Sequence, residues 1–193
     1  STVAPPRTDP PAVSARLVTR ERVLRALESA RPARVLCVQA PGGYGKTIAL
    51  AQWAHRDPRQ VIWLRVGPAA TDPHWLAQSV VDALCHRGLV PGPVSLGGSA
   101  DPVAWYQNTL PALERALSRV SEPLVMVVDD AQELSGPEWD SLVESLAAAL
   151  PAGSRLALAT RGDVPASLWR LQARGEVEVV GPGVLAFDLD DAM

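Results

Sequence analysis

The feature that most constrains the fold of this chain is a series of short apolar runs separated by segments with helical periodicity. Each run is apolar along its whole length rather than at alternate positions, which is typical of strands that helices cover on both faces. Such strands, alternating with helices, predict an α/β fold: a three-layer α/β/α sandwich with a mainly parallel five-stranded sheet. The predicted strands cover residues 34–40, 60–66, 123–129, 155–160 and 176–180, and the last could continue to residue 187.

Helices are predicted between these strands from the spacing of apolar residues and from capping signals. Asp72-Pro73 and Asp101-Pro102 each predict a helix start, because Asp caps the first turn and Pro suits its first position. Residues 88–100 carry no such pattern and are predicted to form a surface loop. The predicted helices cover residues 19–29, 47–56, 72–88, 101–120, 135–150 and 166–173.

Composition excludes several classes of protein. The chain has 193 residues, 47% of them hydrophobic, which is enough for the core of one domain. Its net charge is -3, so it carries no strong basic field of the kind that binds nucleic acid. Its two cysteines form no CxxC pair, which excludes a disulfide scaffold and a cysteine-ligated zinc site. Because no apolar run could cross a bilayer and no secretory signal is present, we expect a cytoplasmic protein without membrane contact.

The two ends of the chain differ from its middle. Residues 1–15 contain four prolines and are predicted to form a flexible Pro-rich tail. Residues 16–187 are predicted to form the domain, and the acidic residues 188–193 to begin a following helical region. Because the chain starts at Ser1 and stops within this acidic stretch, we interpret it as a piece of a larger protein.

A glycine-rich loop, residues 40–45, follows the first predicted strand and leads directly into a helix at Lys46-Thr47. Gly42, Gly43 and Gly45 allow backbone angles that turn amide N–H groups inward and form a nest for an anion. The helix adds the positive end of its dipole. The segment therefore fits the phosphate-binding loop pattern, with Ala40 in place of the first glycine.

Lys46 is the only lysine among the 18 Lys and Arg residues of the chain. A compact, flexible ammonium at this position would reach the β- and γ-phosphates of a nucleotide, a role for which the arginine fork is unsuited. The Thr47 hydroxyl would bind Mg²⁺. We therefore predict ATP or ADP and Mg²⁺ as ligands. The predicted nucleotide-binding residues are Ala40, Pro41, Gly42, Gly43, Tyr44, Gly45, Lys46, Thr47 and Ile48.

Two aspartates, Asp129 and Asp130, follow the most apolar of the predicted strands. Aspartate at the end of an apolar strand is the usual magnesium-side partner of a phosphate loop. Asp129 is therefore predicted to hold Mg²⁺ together with Thr47, through a water because Mg²⁺ dehydrates reluctantly. Asp130 is a candidate for orienting or deprotonating the attacking water, or else it caps the following turn. Glu133 is a further candidate base.

Arg161 comes directly after the fourth predicted strand. Ligands of parallel sheets bind at the carboxyl ends of the strands, so Arg161 would point into the same cleft. We predict that it senses the γ-phosphate or stabilises its transition state, the alternative being a surface ion pair. The predicted catalytic residues are Lys46, Asp129, Asp130 and Arg161.

The other residues that could carry chemistry show no comparable pattern. His55, His74 and His86 lie in different predicted elements without metal-ligand spacing, so we expect capping or surface roles. Cys37 and Cys85 are predicted to be packing residues. The six tryptophans are predicted to pack in the core rather than to stack on bases, and no guanine-recognition motif is present.

Together these segments resemble the nucleotide-binding domain of the signal-transduction ATPases with numerous domains (STAND). The resemblance is carried, in this order, by APGGYGKT with LAQWA, VIWLRV, LVMVVDDAQEL and LALATRGDVP. The branch that the chain resembles is that of maltose-regulon-activator-like and large LuxR-type transcriptional regulators. Two further segments extend the resemblance, residues 168–175 and the lead-in 17–20, which in such domains lies near the adenine.

The resemblance implies a P-loop NTPase domain over residues 16–187 that acts as a molecular switch. Proteins of this family bind ATP or ADP, hydrolyse ATP slowly to reset themselves, and often self-associate when ATP and an inducer are present. By the match, Lys46 and Thr47 are Walker A residues, Asp129 and Asp130 are Walker B residues, and Arg161 is the first sensor. DNA is expected to contact only further domains that this piece lacks. The lack of a second, separated acidic pair after Asp129 makes efficient hydrolysis doubtful.

Three other functions are open at this stage. A small-molecule kinase on the same fold would need a mobile lid, for which residues 88–100 are the only candidate. A degenerate interaction module that binds no nucleotide conflicts with the intact Lys46, Thr47 and Asp129. A DNA-remodelling motor would need a basic channel, which the net charge of -3 does not support.

Overall fold

Five strands form one sheet in which every paired strand runs parallel to its neighbour. The computed structural model of the chain describes residues 8–14, 18–30, 33–67, 72–97, 101–134 and 136–186. The strands are β1 (Val35–Gln39), β2 (Gln60–Arg65), β3 (Leu124–Asp129), β4 (Arg155–Thr160) and β5 (Val177–Val180). Their order across the sheet is β2-β3-β4-β1-β5, which places β4 between the first and third strands.

Helices connect successive strands and cover both faces of the sheet. Asp72 caps α3 as predicted, its side chain accepting a hydrogen bond from the backbone N–H of His74. The helices α4 and α8 are short, with three and four residues. The helices are α1 (Glu21–Ser29), α2 (Lys46–Arg56), α3 (Pro73–His86), α4 (Pro102–Ala104), α5 (Leu110–Leu117), α6 (Pro137–Ala149), α7 (Trp169–Ala173) and α8 (Pro182–Leu185).

The sheet separates two hydrophobic cores, and alternate residues of each strand belong to different cores. In β1, Val35 and Cys37 face the core beneath α3, α5 and α6, whereas Leu36 and Val38 face the core beneath α1, α2 and α8. This alternation follows from the pleat, which points successive side chains to opposite faces. The predicted α/β/α sandwich with a parallel sheet is therefore confirmed.

The helical region after residue 101 differs from the single helix predicted over residues 101–120. A π-helical segment, Trp105–Thr109, separates α4 from α5, which ends at Leu117. Pro111 explains the interruption, because it has no N–H to donate to the carbonyl four residues earlier and its ring crowds the preceding turn. The fully buried Trp105 is anchored within the segment by a hydrogen bond from its indole N–H to the Ser141 hydroxyl, 2.9 Å.

The last strand is shorter than its longest predicted form. β5 ends at Val180, and α8 then begins at Pro182, so the extension of the strand to residue 187 is wrong. Pro182 decides this, because it cannot donate to a strand ladder but suits the first position of a helix. Leu185 of α8 is fully buried in the core that contains α1 and α2.

Residues 8–14 lie against the domain instead of extending away from it as the predicted flexible tail. The backbone N–H of Trp63, in the edge strand β2, donates to the Thr8 carbonyl at 2.9 Å. Arg87 pairs with Asp9 at 2.5 Å, and Val13 packs on the core. Such a segment covers part of an open sheet edge. The predicted ends of the chain, residues 1–7 and 188–193, lie outside the described residues.

Two predictions about side chains have different outcomes. Trp169 is 64% exposed on α7, so the prediction that all six tryptophans pack in the core is wrong for this one. Cys37 is fully buried, as expected of a packing residue, and burial raises the pKa of its thiol to about 12.

In the part of the chain that the structure describes, every helix is too short or too polar to cross a lipid bilayer.

Candidate functional site

The strand order brings the predicted site residues to one edge of the sheet. Because β4 lies between β1 and β3, the glycine-rich loop after β1, Arg161 after β4 and Asp129 at the end of β3 emerge at the same edge. Ligands of parallel α/β sheets bind in the crevice outside this edge. The glycine-rich loop itself leads into α2, whose first turn contains Lys46 and Thr47.

Two glycines set the shape of the glycine-rich loop. Gly43 has a φ of 85° and Gly45 a φ of 72°, both in the left-handed region that disfavours residues with a side chain. Gly45 is also the N-cap of α2. Gly42 lies outside the left-handed region, and a Cβ added at Gly42 or Gly43 would meet nothing within 4 Å. The loop therefore has open space at Gly42 and Gly43 and lies at the N-terminus of a helix, where an anion nest is expected.

We expect Gly45→Ala to lower the free energy of unfolding by about 1–2 kcal/mol, because alanine is strained at this φ. The new Cβ would also lie 3.1 Å from the Arg20 Nη2. Gly42→Ala is the matched control, with ordinary backbone angles and open space, and should change stability little. Urea denaturation without nucleotide measures both variants. Equal losses in the two would show that backbone strain at Gly45 does not shape the loop.

The Lys46 side chain folds back over the glycine-rich loop. Its Nζ donates to the carbonyls of Ala40 at 2.6 Å and Pro41 at 3.0 Å. Burial lowers the pKa of Lys46, and the charge of Arg161 lowers it further, whereas Asp130 and Asp129 act in the opposite direction. The ammonium thus closes the two ends of the loop and lies within the electrostatic reach of the other predicted catalytic residues.

Thr47 and Asp129 are in direct contact. The Thr47 hydroxyl lies 3.1 Å and 3.0 Å from the two carboxylate oxygens of Asp129, so it can donate to either. Asp129 is 1% exposed. Burial raises the pKa of its carboxyl, partly offset by the hydrogen bond from Thr47. A buried carboxylate beside a hydroxyl is a hard oxygen donor set, suited to Mg²⁺ when phosphates supply the remaining ligands.

Asp130 adopts a left-handed backbone conformation, with φ 61° and ψ 40°, and receives hydrogen bonds from three side chains. Arg65 donates at 3.4 Å, Arg161 at 3.3 Å and Gln132 at 3.2 Å. Burial would raise the pKa of Asp130, but these hydrogen bonds and the two arginine charges outweigh burial and lower it. A carboxylate stabilised in this way is a weak proton acceptor, so the arrangement favours an orienting role over that of general base.

Sequence reasoning missed two residues of this cluster, Arg65 and Gln132. Gln132 bridges two loops, donating to Asp130 and accepting, through Oε1, from the backbone N–H of Arg161 at 3.1 Å. Arg65 comes at the end of β2, directly opposite Asp129 in the sheet register. The position of Arg65 at the end of a predicted strand was the available signal, whereas nothing local distinguishes Gln132. Glu133, the other candidate base, is exposed and contacts Gln132 at 3.4 Å.

Exposed apolar side chains lie beside the glycine-rich loop. Tyr44 and Ile48 are each more than one-third exposed, and Val18 is half exposed. The Gln52 side chain, one turn after Ile48 in α2, donates to the Val18 carbonyl at 3.2 Å and so holds the lead-in segment against this helix. Apolar surface next to a phosphate-binding loop can accept the face of a base.

His74 and His55 contact residues outside the glycine-rich loop and the Asp129–Asp130 cluster. His74 contacts the Asp72 carboxylate at the start of α3 and packs edge-on against Trp105, while His55 contacts the Pro11 carbonyl. Cys85 donates to the Gly92 carbonyl at 2.9 Å. Within the described residues, no group of three or more His, Cys, Asp or Glu side chains could hold a metal by itself. A cation at Thr47 and Asp129 would therefore depend on ligands from a bound phosphate.

Comparison with known proteins shows that most of this chain is similar to a part of larger regulators. No protein-family model matches it. The chain is 24% identical over 178 residues to the HTH-type transcriptional regulator MalT of Yersinia enterocolitica, and 27% identical over 179 residues to MalT of Serratia proteamaculans. Each alignment covers 91% of this chain and 19% of the regulator, so the chain spans less than a fifth of the length of these relatives.

Solved structures show the same fold. The Walker-type ATPase of Pyrococcus abyssi superposes with a TM-score of 0.53 at 15% identity, covering 96% of this chain and 58% of that protein. The ORC1 protein of Aeropyrum pernix, solved in complex with DNA, gives 0.52 at 20% identity, covering 88% and 46%. The resemblance to maltose-regulon-activator-like regulators that the motifs predict is confirmed as a similarity over 91% of this chain, and the chain shares its fold with a Walker-type ATPase.

Proposed function

We propose that this domain is an ATP- and ADP-binding regulatory switch of the STAND class that hydrolyses ATP slowly with Mg²⁺. The observation that carries the proposal is the contact between the Thr47 hydroxyl and the two carboxylate oxygens of the buried Asp129, at 3.1 Å and 3.0 Å. Thr47 directly follows Lys46, the only lysine of the chain. This pair supplies cation ligands where an open glycine-rich loop can hold phosphates. The similarity to MalT regulators supports a regulatory role.

The residues present fit a nucleotide with its metal ion. The loop has open space at Gly42 and Gly43 at the N-terminus of α2, and Thr47 and Asp129 are the residues that would hold Mg²⁺. Mg²⁺, when bound, would neutralise part of the charge of the phosphates. The Lys46 ammonium would exchange its contacts with the Ala40 and Pro41 carbonyls for phosphate oxygens. Tyr44, Ile48 and Val18 would face the base.

Arg161 and Asp130 would distinguish ATP from ADP. Among the described residues, the exposed Arg161 guanidinium makes one long hydrogen bond, 3.3 Å to Asp130, so a γ-phosphate could compete for it. A ligand shifts a two-state equilibrium only by its difference in affinity for the two states. A contact available to ATP and not to ADP is such a difference, and in this proposal Arg161 makes it.

The arrangement of acidic residues supports slow hydrolysis. Asp130 accepts hydrogen bonds from two arginines and a glutamine, and these interactions lower its pKa. Glu133 is exposed to solvent. Rapid general-base catalysis would require a carboxylate that accepts a proton readily, and the lowered pKa of Asp130 opposes this. Slow turnover suits a reset step in a switch.

At the level of the whole protein, we propose a cytoplasmic transcriptional regulator of the LuxR type. DNA contact would come through other domains, self-association would accompany the ATP state, and an inducer or regulatory protein would bias the switch. The net charge of -3 of this chain agrees with DNA contacts elsewhere.

The described part of the predicted loop over residues 88–100 argues against the kinase alternative. Val90 and Leu96 are almost fully buried, and the Gln78 side chain donates to the Val94 carbonyl and accepts from the backbone N–H of Leu96. Residues 88–97 are thus fastened to α3. A lid that closes over an acceptor substrate needs weaker attachment than this.

Calorimetric titration with ATP and with ADP, each with and without Mg²⁺, tests the proposed function. We expect both nucleotides to bind, with Mg²⁺ strengthening the binding of ATP. Absence of binding by the folded domain would refute the proposal for this chain. Phosphate release that depends on an added acceptor, rather than on ATP alone, would instead establish the kinase alternative.

We expect Arg161→Ala to reduce the ratio of ATP to ADP affinity about threefold to tenfold, since each 1.4 kcal/mol corresponds to tenfold. The reason is that, in this proposal, Arg161 contacts the γ-phosphate, which ADP lacks. Competitive titration of both nucleotides measures the ratio. Arg170→Ala is the matched control, because Arg170 is an exposed arginine of α7 that interacts only loosely with Glu144, 3.9 Å. An equal loss of affinity for ATP and ADP would contradict the sensing role of Arg161.

A further inference from the structure

Arg20 is a buried arginine that joins two distant parts of the chain. It precedes α1 and is 4% exposed. Its Nη1 donates to the carbonyl of Leu185, the last residue of α8, at 2.6 Å. Its Nη2 donates to the carbonyl of Tyr44, in the glycine-rich loop, at 3.2 Å. A buried guanidinium is stable only when hydrogen bonds compensate its lost hydration, and these two carbonyls supply part of that compensation.

The guanidinium also lies against the junction between the glycine-rich loop and α2. A Cβ built on Gly45 would be 3.1 Å from the Arg20 Nη2, closer than ordinary van der Waals contact. Gly45 is both the N-cap of α2 and a residue with positive φ. Arg20 therefore contacts the loop at Gly45, the residue through which a change in loop conformation would reach α2.

α8 depends on contacts with other elements for its stability. With four residues it is too short to be stable alone, since the first helical turn is the unfavourable step of helix formation. Two arginines on the same side hold its carbonyls. Besides Arg20, the exposed Arg22 donates to the Ala186 carbonyl at 2.9 Å and to the Gly183 carbonyl at 3.4 Å. Of the two, Arg20 is the one that also contacts the loop.

We propose that Arg20 is a positioning residue that couples occupancy of the glycine-rich loop to the stability of α8. This inference rests on the proposed nucleotide binding. A phosphate held by the loop would fix the Tyr44–Gly45 backbone, and a fixed Tyr44 carbonyl makes the guanidinium bridge to Leu185 less costly in entropy. Nucleotide binding thereby stabilises α8, so the state of the loop is transmitted to the C-terminal side of the domain.

Hydrogen exchange of residues 181–186 tests this coupling. The backbone N–H groups of Val184, Leu185 and Ala186 donate within α8, so their exchange rates report its opening. In the wild-type domain we expect saturating Mg²⁺ and ADP to slow this exchange about threefold or more. Calorimetry on the same samples shows independently whether ADP binds and which concentration saturates each variant.

Two variants separate coupling from simple support of α8. Arg22→Ala removes contacts to α8 but none to the glycine-rich loop, so it should accelerate exchange both with and without ADP and keep the slowing by ADP. Arg20→Ala should abolish the slowing at saturating ADP. Arg20→Lys, which preserves the charge in case the alanine variant does not fold, should also abolish it, because one ammonium cannot present the planar fork that reaches both carbonyls.

The outcomes are distinguishable. If ADP binds to the wild-type domain and the exchange of residues 181–186 is unchanged, the coupling is refuted while the proposed function stands. Full retention of the slowing in Arg20→Lys would refute the role of the guanidinium. If calorimetry shows no ADP binding, the proposed function fails and the coupling fails with it.

Discussion

Lys46→Ala should weaken ATP binding about tenfold or more, a loss of at least about 1.4 kcal/mol. The Lys46 ammonium is placed at the start of α2 beside the open glycine-rich loop, and no other lysine could substitute for it. A charge-assisted hydrogen bond to phosphate is among the stronger polar contacts that a binding site can make. The variant also loses the contacts of Lys46 to the Ala40 and Pro41 carbonyls, so the loop should become less ordered.

Calorimetric titration with ATP measures this loss, and two further variants define its cause. Arg170→Ala removes a positive charge from the surface of α7 and should leave ATP affinity unchanged. Lys46→Arg keeps the charge but replaces the compact ammonium with a planar fork, and we expect it not to restore affinity. Unchanged ATP affinity in Lys46→Ala would refute the assignment of the phosphate-binding loop.

Asp129→Asn should abolish the effect of Mg²⁺ on ATP binding and on ATP hydrolysis. Asparagine preserves the shape of the side chain and an oxygen that can accept from Thr47, but it removes the negative charge that attracts the cation. Titration of ATP with and without Mg²⁺ measures the effect. Asp82→Asn, on the exposed face of α3, removes an equal charge elsewhere and should retain the full Mg²⁺ response. A retained response in Asp129→Asn would place the metal ligand on another residue.

The same substitution should not destabilise the domain at neutral pH. Burial raises the pKa of Asp129, so the folded state binds its proton more readily than the unfolded state. The contribution of Asp129 to the free energy of unfolding therefore falls as the pH rises through the raised pKa. Above that pKa, the ionised carboxylate opposes folding. Asp129→Asn removes that opposition, so its free energy of unfolding at pH 7 should equal or exceed the wild-type value. The difference should shrink as the pH is lowered, which denaturation at several pH values would detect.

The raised pKa of Asp129 also predicts how Mg²⁺ binding depends on pH. Mg²⁺ requires the ionised carboxylate, so its effect on ATP affinity should disappear on acidification at a higher pH than an ordinary aspartate would give. Asp130 has the opposite shift, because Gln132, Arg161 and Arg65 stabilise its charge. The two adjacent carboxyls thus differ because their surroundings differ.

The amino-acid sequence determined the strands, most helices and the loop-to-helix junction of this protein, because these depend on neighbouring residues. Fully apolar runs bounded by Gly and Pro identify buried strands, and the glycines of residues 40–45 identify a turn that other residues cannot adopt easily. Two predictions about element boundaries were wrong because each neglected the effect of one proline. Pro111 produced the π-helical segment, and Pro182 ended β5.

Only the tertiary structure decided which side chains meet. Asp130 contacts Arg65 and Arg161, which are 65 and 31 residues away, because β2 and β4 both lie beside β3. Arg20 reaches Leu185 across 165 residues, because α1 and α8 share one core. The order of the strands follows from burying both faces of the sheet at the same time. No local sequence pattern encodes that order. The sequence therefore predicted a glycine-rich loop that leads into α2, and the packing of the sheet brought Arg65 and Arg161 beside Asp130.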